Sequence, residues 1–276
     1  MFKFIILGIV QGLTEFFPVS SSAHLVIFQH LFGIDKNVVF LDIVLHLGTL
    51  CALVLFFRND IFTLVSSFLV ALFDIFFRRR ISYVWKYDTN FRLCIYILVS
   101  TVLTGYLAMN SRNFFERLFY STGAVIFALF INSVIIFSTR GLYFGQRSLK
   151  NLTIRDAIIF GITQVAALAP GISRSGLTIS LMLFRNVEKE GAFKFSFLVS
   201  IPVIAGAFLV SLRDSATESS FPLFYLILGF IFSFLSGLIA LFILRKILRQ
   251  SSFYKFSIYC FCLAVLLFFL KLKGFF

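Results

Sequence analysis

Long apolar runs alternate along the chain with short polar or basic stretches, and two of the runs are interrupted in the middle. The uninterrupted runs are Val38 to Phe57, Phe91 to Ala108, Phe119 to Phe137, Phe195 to Leu212, Pro222 to Leu244 and Phe253 to Leu270. Each approaches the roughly 20 residues that a helix needs to cross a hydrocarbon layer. Ile61 to Phe77 is shorter, carries Asp74, and lies between Arg58 and Arg78-Arg79-Arg80. Its pattern fits a span or a helix lying flat on the membrane face.

The interrupted runs are Phe4 to Phe32 and Ile154 to Phe184. Gln11, Thr14, Glu15, Pro18, Ser20, Ser21, Ser22 and His24 break the first. Pro170-Gly171, then Ser173, Arg174, Ser175 and Thr178, break the second. Both runs carry a Gly-Ile-x-Gln tetrapeptide, Gly8 to Gln11 and Gly161 to Gln164, with a proline and then serines downstream. As one straight helix, Phe4 to Phe32 would be about 43 Å long against a core of about 30 Å. Proline removes a backbone donor and clashes with the preceding turn. Each run therefore reads as two half-helices that turn at Pro18 or Pro170, with Ser20 or Ser21, and Ser173, as caps. Irregular backbone at that depth must be covered by protein or line a wet cavity, so the two turns should face each other.

Loop charge sets orientation. Arg78 to Arg92, Arg140 to Lys150 and Arg245 to Lys255 are basic and fall on one face, the cytoplasmic one by the positive-inside rule. Met109 to Leu118 and Arg213 to Phe221 fall on the other. This parity holds with Ile61 to Phe77 lying flat, and then three spans separate the broken segments. The two hairpins then enter from opposite faces, as in inverted-repeat transport folds. If that segment crosses, both enter from the same side. The expectation is an all-α polytopic membrane protein with about six transmembrane helices plus two re-entrant hairpins. It forms a single domain over residues 1–276, with inverted repeats over about 1–137 and 154–270.

Composition agrees: 60% of residues are hydrophobic and 13% charged, against roughly 25% charged in soluble domains. The net charge of +13 sits between apolar runs, which argues for cytoplasmic loops and anionic lipid headgroups and against nucleic acid. Cys51, Cys94, Cys260 and Cys262 all lie in apolar runs and read as small buried hydrophobes. No cleavable leader is expected, because the first apolar run has only Lys3 before it and leads directly into the polar cluster.

The turns bring candidate chemistry. Backbone N–H groups at the start of each second half-helix form an anion site. Arg174 lies in such a first turn, where the helix dipole disfavours a cation, and deep in an apolar run. A bound anion such as phosphate offsets both penalties. Glu15 lies one turn from Gln11 on the same face. It reads as a metal ligand or proton acceptor, or as an ion-pair partner of Arg174. A divalent cation on Glu15 would reconcile the carboxylate with an anionic substrate. His24 lies at helical spacing from Ser20 and Ser21, the minimum for an activated nucleophile. His46, inside a span, reads as a structural hydrogen-bonding residue with Asp42 as partner.

QGLTEFFPVSSSAH resembles the signature of bacterial undecaprenyl-pyrophosphate phosphatases, the bacitracin-resistance family, in which Glu/Gln-x-x-x-Glu precedes Pro-Val-Ser-Ser. PGISRSGLTIS resembles that family's second motif, and FSFLVSIPVIAGA extends the likeness. The resemblance implies an enzyme that hydrolyses undecaprenyl diphosphate to undecaprenyl phosphate, recycling the lipid carrier of peptidoglycan synthesis. It implies a multi-pass protein of the bacterial inner membrane with its active site open to the periplasmic side. Gln11 and Glu15 become the motif pair and candidate ligands of Mg²⁺ or Ca²⁺. Ser20, Ser21 and His24 fall in the catalytic hairpin, and Gly171, Ser173, Arg174, Ser175 and Thr178 in the phosphate-binding one. The implied partners are a polyprenyl diphosphate and membrane lipids, with bacitracin competing by binding the substrate and a homodimer compatible with the pattern.

The mechanism expected is in-line displacement at the terminal phosphorus. Ser21 is the chosen nucleophile, with His24 as its base; His24 as nucleophile and Glu15 activating a water remain open. The rival class is a transporter or flippase of polyprenyl phosphate that uses the same anion site.

Overall fold

Both interrupted runs break ahead of their prolines, the first just before Pro18 and the second through a 3-10 turn, Ala166–Leu168, that leads to Pro170. The computed structural model describes residues 1–34, 38–119, 121–142, 145–214 and 221–274; most of the connection Arg213 to Phe221 lies outside the described residues. Helix α1 (Phe2–Phe16) ends two residues before Pro18, and α2 (Ser21–Leu31) starts after Ser20, whose φ is 69°. Then come α3 (Val38–Phe56), α4 (Arg58–Arg78), α5 (Ile81–Tyr87), α6 (Thr89–Phe119) and α7 (Thr122–Phe137). Helix α8 (Ile154–Val165) opens on a capping box: Thr153 Oγ1 accepts from the Asp156 N–H, and the Asp156 carboxylate accepts from the Thr153 N–H. After Pro170 and Gly171 (φ 103°), Ser173 caps α9 (Arg174–Phe184) by accepting from the Gly176 N–H. Helices α10 (Lys189–Asp214), α11 (Leu223–Arg249) and α12 (Phe256–Leu272) complete the chain.

Small residues let each hairpin lie directly against a helix of the other half. Phe4 stacks on Tyr225 with ring centroids 5.2 Å apart. A Cβ added at Gly8 would sit 2.5 Å from the Gly229 carbonyl oxygen, and one at Gly12 2.4 Å from that of Ser233. Helices α1 and α11 thus run in the same direction, backbone to backbone, as small-residue faces allow in membranes. Helix α8 repeats the arrangement on α6. Ser100 Oγ donates to the Ala157 carbonyl and Thr104 Oγ1 to that of Gly161, at 2.9 and 3.0 Å.

These pairings fix the relative directions. Helix α3 runs parallel to α11: Ser233 Oγ donates to the Leu45 carbonyl, and Phe56 meets Phe242 further on. The end of α3 meets the start of α10 through Phe57 and Phe193, so those two are antiparallel. Helix α9 turns sharply into α10 and is antiparallel to it, which leaves α8 parallel to α10 and opposed to α1. The two hairpins enter from opposite faces.

Seven helices among the described residues are long and apolar enough to cross a membrane, α4 among them. The contacts of α4 are those of a helix laid across the ends of others. Asp60 pairs with Lys194 in the second turn of α10. Cys94 Sγ donates to the Leu64 carbonyl at 3.3 Å, and Phe68 stacks on Phe91 at 5.9 Å. The middle of α4 therefore meets the beginning of α6, on the basic face. Opposed hairpins also require an odd number of crossings between them, which α3, α6 and α7 supply. These contacts fit six spans among the described residues, with α4 laid across their ends. The protein is all-α and polytopic, and its largest core cluster includes Phe16, Phe160, Phe193, Phe195 and Phe197.

Candidate active site

The tips of the two hairpins meet inside the protein. The Gly171 N–H donates to Ser20 Oγ at 3.1 Å. Asn132 of α7 bridges the turns: its Nδ2 donates to the Pro18 carbonyl at 3.2 Å, and its Oδ1 accepts from the Ser173 N–H at 3.0 Å. Cys260 Sγ also donates to the Pro18 carbonyl, at 3.3 Å. Backbone groups freed by the broken helices are thereby satisfied, as they must be away from water.

Two opposite charges occupy this junction. Arg174 Nη2 donates to Glu15 Oε1 at 2.8 Å, with side-chain exposures of 16% and 8%. Glu15 Oε2 accepts from Gln11 Nε2 at 3.1 Å and from Ser21 Oγ at 2.9 Å. His46 Nδ1 lies 2.7 Å from the Asp42 carbonyl, which can only accept, so Nδ1 carries the proton. That leaves Nε2 directed at Glu15 Oε2, 3.6 Å away. Arg174 Nη1 is buried and has no hydrogen-bond partner among the described residues. The pair borders a cavity of about 410 Å³, whose polar end is formed by Glu15, Ser21, Ser22, His46, Ser173 and Arg174. Val39 at the start of α3 and Ser211 near the end of α10 line its other end. The cavity therefore leads toward the face opposite the basic loops.

The structure divides the expected site residues. Glu15, Ser21, Ser173 and Arg174 line the cavity. Gly171 and Ser20 spend their groups on each other. Ser175 Oγ pairs with Ser173 Oγ at 3.1 Å, and Thr178 Oγ1 bonds the Arg174 carbonyl and Ser196. These last two, both buried, hold the first turn of α9 and do not reach the cavity. The expected pairing of Ser21 with His24 is not made. Ser21 points back to Glu15, while His24 Nδ1 meets the Ser20 carbonyl at 2.8 Å and Nε2 meets Tyr259 Oη at 2.6 Å. His46 replaces it as the imidazole of the cavity. Its Asp42 partner acts through the backbone carbonyl, and the Asp42 carboxylate accepts from Gln29 Nε2 at 2.6 Å.

Sequence reasoning also passed over Asp156, which ties the two ends of the second hairpin. Arg147 Nη2 and Arg185 Nη2 reach its carboxylate at 2.7 and 2.8 Å. Burial pushes its pKa up, but the hydrogen bonds from Arg147, Thr153 and Arg185 outweigh burial and bring it down to about 2.

Among the described residues no group of three His, Cys, Asp or Glu side chains gathers at one point. Gln11 Oε1, however, is buried without a partner among the described residues, while its Nε2 holds Glu15. A carboxylate and an amide oxygen are donors of the type a hard cation takes.

Residues 4–266 match the family described as bacitracin resistance protein BacA. The chain is 38% identical to a Methanobrevibacter smithii protein named undecaprenyl-diphosphatase, over 96% of this chain and 95% of the relative. It is 38% identical to an Alkaliphilus metalliredigens protein of the same name, with 94% of each chain covered. A third relative so named, from a Thermotoga species, is 36% identical over 95% of this chain and 97% of its own length.

Proposed function

The chain belongs to the bacitracin resistance protein BacA family, and from that premise we propose how its buried charge pair removes a phosphate from undecaprenyl diphosphate. The reaction is a hydrolysis that leaves undecaprenyl phosphate. The observation that carries the assignment of the site is the buried pair of Arg174 and Glu15 at the polar end of a largely apolar cavity. Burying the Arg174 cation is costly, and Glu15 occupies only its Nη2, so a second anion can still meet it. A terminal phosphate between Arg174 and Ser173 does so, and the prenyl chain runs out past Val39, Ile204 and Phe208.

Ser21 attacks the terminal phosphorus in line. Its Oγ–P bond forms as the bond to the bridging oxygen breaks, and undecaprenyl phosphate departs with the electron pair. Glu15 Oε2, already hydrogen-bonded to Ser21 Oγ, takes the proton. His46 Nε2, 3.6 Å away, carries it to the leaving phosphate. Water then attacks phosphoserine: Glu15 accepts the water proton and returns it to Ser21, releasing inorganic phosphate. Arg174 neutralises charge on the equatorial oxygens throughout. Glu15 and Gln11, with phosphate oxygens, would hold Mg²⁺ or Ca²⁺, which would further neutralise the diphosphate.

Orientation follows from charge. With the basic loops in the cytoplasm, the cavity opens on the periplasmic side of a bacterial cytoplasmic membrane. Transport without hydrolysis is the less favoured reading: a serine hydroxyl bonded to a buried carboxylate serves bond cleavage and is not needed to carry an anion. The test is phosphate release from a polyprenyl diphosphate in detergent. Ser21→Ala and Arg174→Ala are each expected to lower the rate by more than about 100-fold. If neither lowers it by more than about tenfold, the site is wrong. Chelation should lower the rate and added Mg²⁺ or Ca²⁺ restore it; an unchanged rate removes the cation from the scheme.

A further inference from the structure

We propose that His24 and Tyr259 form a strut that fixes the turn carrying Ser21, so that His24 is a positioning residue and not a base. The inference rests on Ser21 as the nucleophile and goes on to say what holds it in place. A carbonyl oxygen only accepts, so the 2.8 Å contact between His24 Nδ1 and the Ser20 carbonyl puts the ring proton on Nδ1. In the neutral ring Nε2 then carries the lone pair, and it accepts from Tyr259 O–H at 2.6 Å. The two rings lie 12° from parallel with centroids 5.7 Å apart. His24 is 5% exposed and both its nitrogens are engaged. It cannot take a proton from Ser21 without leaving both partners.

The residue it grips is under backbone strain. Ser20 has φ 69° and ψ 94°, a conformation that residues with a Cβ adopt only when their surroundings enforce it. Its carbonyl accepts from both the His24 backbone N–H, at 3.4 Å, and His24 Nδ1. Its hydroxyl accepts from Gly171, so the same residue joins the two hairpin tips. Ser21 is the next residue in the chain, and rotation about Ser20 would swing its hydroxyl off Glu15. Tyr259 comes from α12, whose neighbour Cys260 contacts Asn132 and the Pro18 carbonyl. Helices α7 and α12 thus hold the turn on both sides of the strained residue.

Asparagine separates the two roles, because its Nδ2 overlies histidine Nδ1 and donates likewise but cannot act as a base. His24→Asn is expected to retain hydrolysis within about tenfold of the unaltered protein, the reach of one hydrogen bond, with the same pH profile. His24→Ala should fall at least about tenfold below His24→Asn. Tyr259→Phe should lower kcat about three- to tenfold and leave KM unchanged. Gel filtration and thermal midpoints show which variants fold; should His24→Ala not fold, the kcat and KM of Tyr259→Phe decide. Equal loss in His24→Asn and His24→Ala, or unchanged kcat in Tyr259→Phe, overturns the strut. Ser21→Ala in the same assay isolates the parent reading: if it stays active, the nucleophile is wrong, whatever the strut does.

Discussion

Arg174→Met leaves Glu15 buried without its cation, and the consequence can be worked from the contacts. Removing one member of a buried ion pair costs about 3–5 kcal/mol, because the other charge stays uncompensated. Glu15 keeps the hydrogen bonds from Gln11 and Ser21, so the loss belongs at the lower end, about 3 kcal/mol. For a chain of this size that is a fall in thermal midpoint of about 6–12 °C. Glu15→Gln alone should cost a similar amount, since it strands Arg174. The double change Arg174→Met with Glu15→Gln leaves no unpaired charge and should recover most of the lost midpoint. Phosphate release should stay at least about 10³-fold down in all three, since the phosphate has lost its arginine or the serine its base. Midpoints from intrinsic fluorescence in detergent, alongside phosphate release, give both readings. A double variant that hydrolyses within about tenfold of the unaltered protein, or a stable Arg174→Met, refutes the reasoning.

Two further outcomes concern the frame around the site. Gly12→Ala puts a Cβ against the Ser233 carbonyl and the Gly237 nitrogen, at 2.4 and 2.7 Å, so α1 must move off α11. It should cost at least about 1–3 kcal/mol, whereas Gly105→Ala, with nothing within 4 Å, should be neutral or stabilising by up to about 1 kcal/mol; matching thermal midpoints would contradict the close packing. Asp156 titrates in the folded protein at about 2, below its ordinary value of 3.8. Its stabilisation is therefore fully present above the ordinary value and is lost as pH falls through the folded one. The midpoint deficit of Asp156→Asn should be constant above about pH 4 and close toward about pH 2; a deficit unchanged at the acid end argues against the two-arginine clamp.

The broken helices were legible because proline and serine act locally when they occur together: Pro18 and Pro170, each followed by serines, mark breaks, whereas Pro202 stands inside α10. The contacts of α4 with the start of α6 agree with the parity of the basic loops. Contacts between distant segments were not legible. His46 looked structural because nothing in its own span shows that one turn of α3 lies at the depth of Glu15. The pairing of Ser21 with His24 followed from ideal helical spacing. It fails because Ser21 is the first residue of α2, where the strained Ser20 aims its hydroxyl back at α1. Tyr259 stands 235 residues from His24, and no local pattern connects them.

The first hairpin is packed by a helix that lies far downstream in the chain. Phe4, Gly8 and Gly12 find their neighbours only when Tyr225, Gly229 and Ser233 have been synthesised. At about 5–20 residues per second, the N-terminal hairpin waits roughly 10 to 45 s for that surface, with Glu15 lacking its arginine for most of the interval. Assembly of this protein must therefore shelter an unfinished polar loop in or beside the bilayer during translation, and the ribosome's pace becomes part of how the enzyme is built.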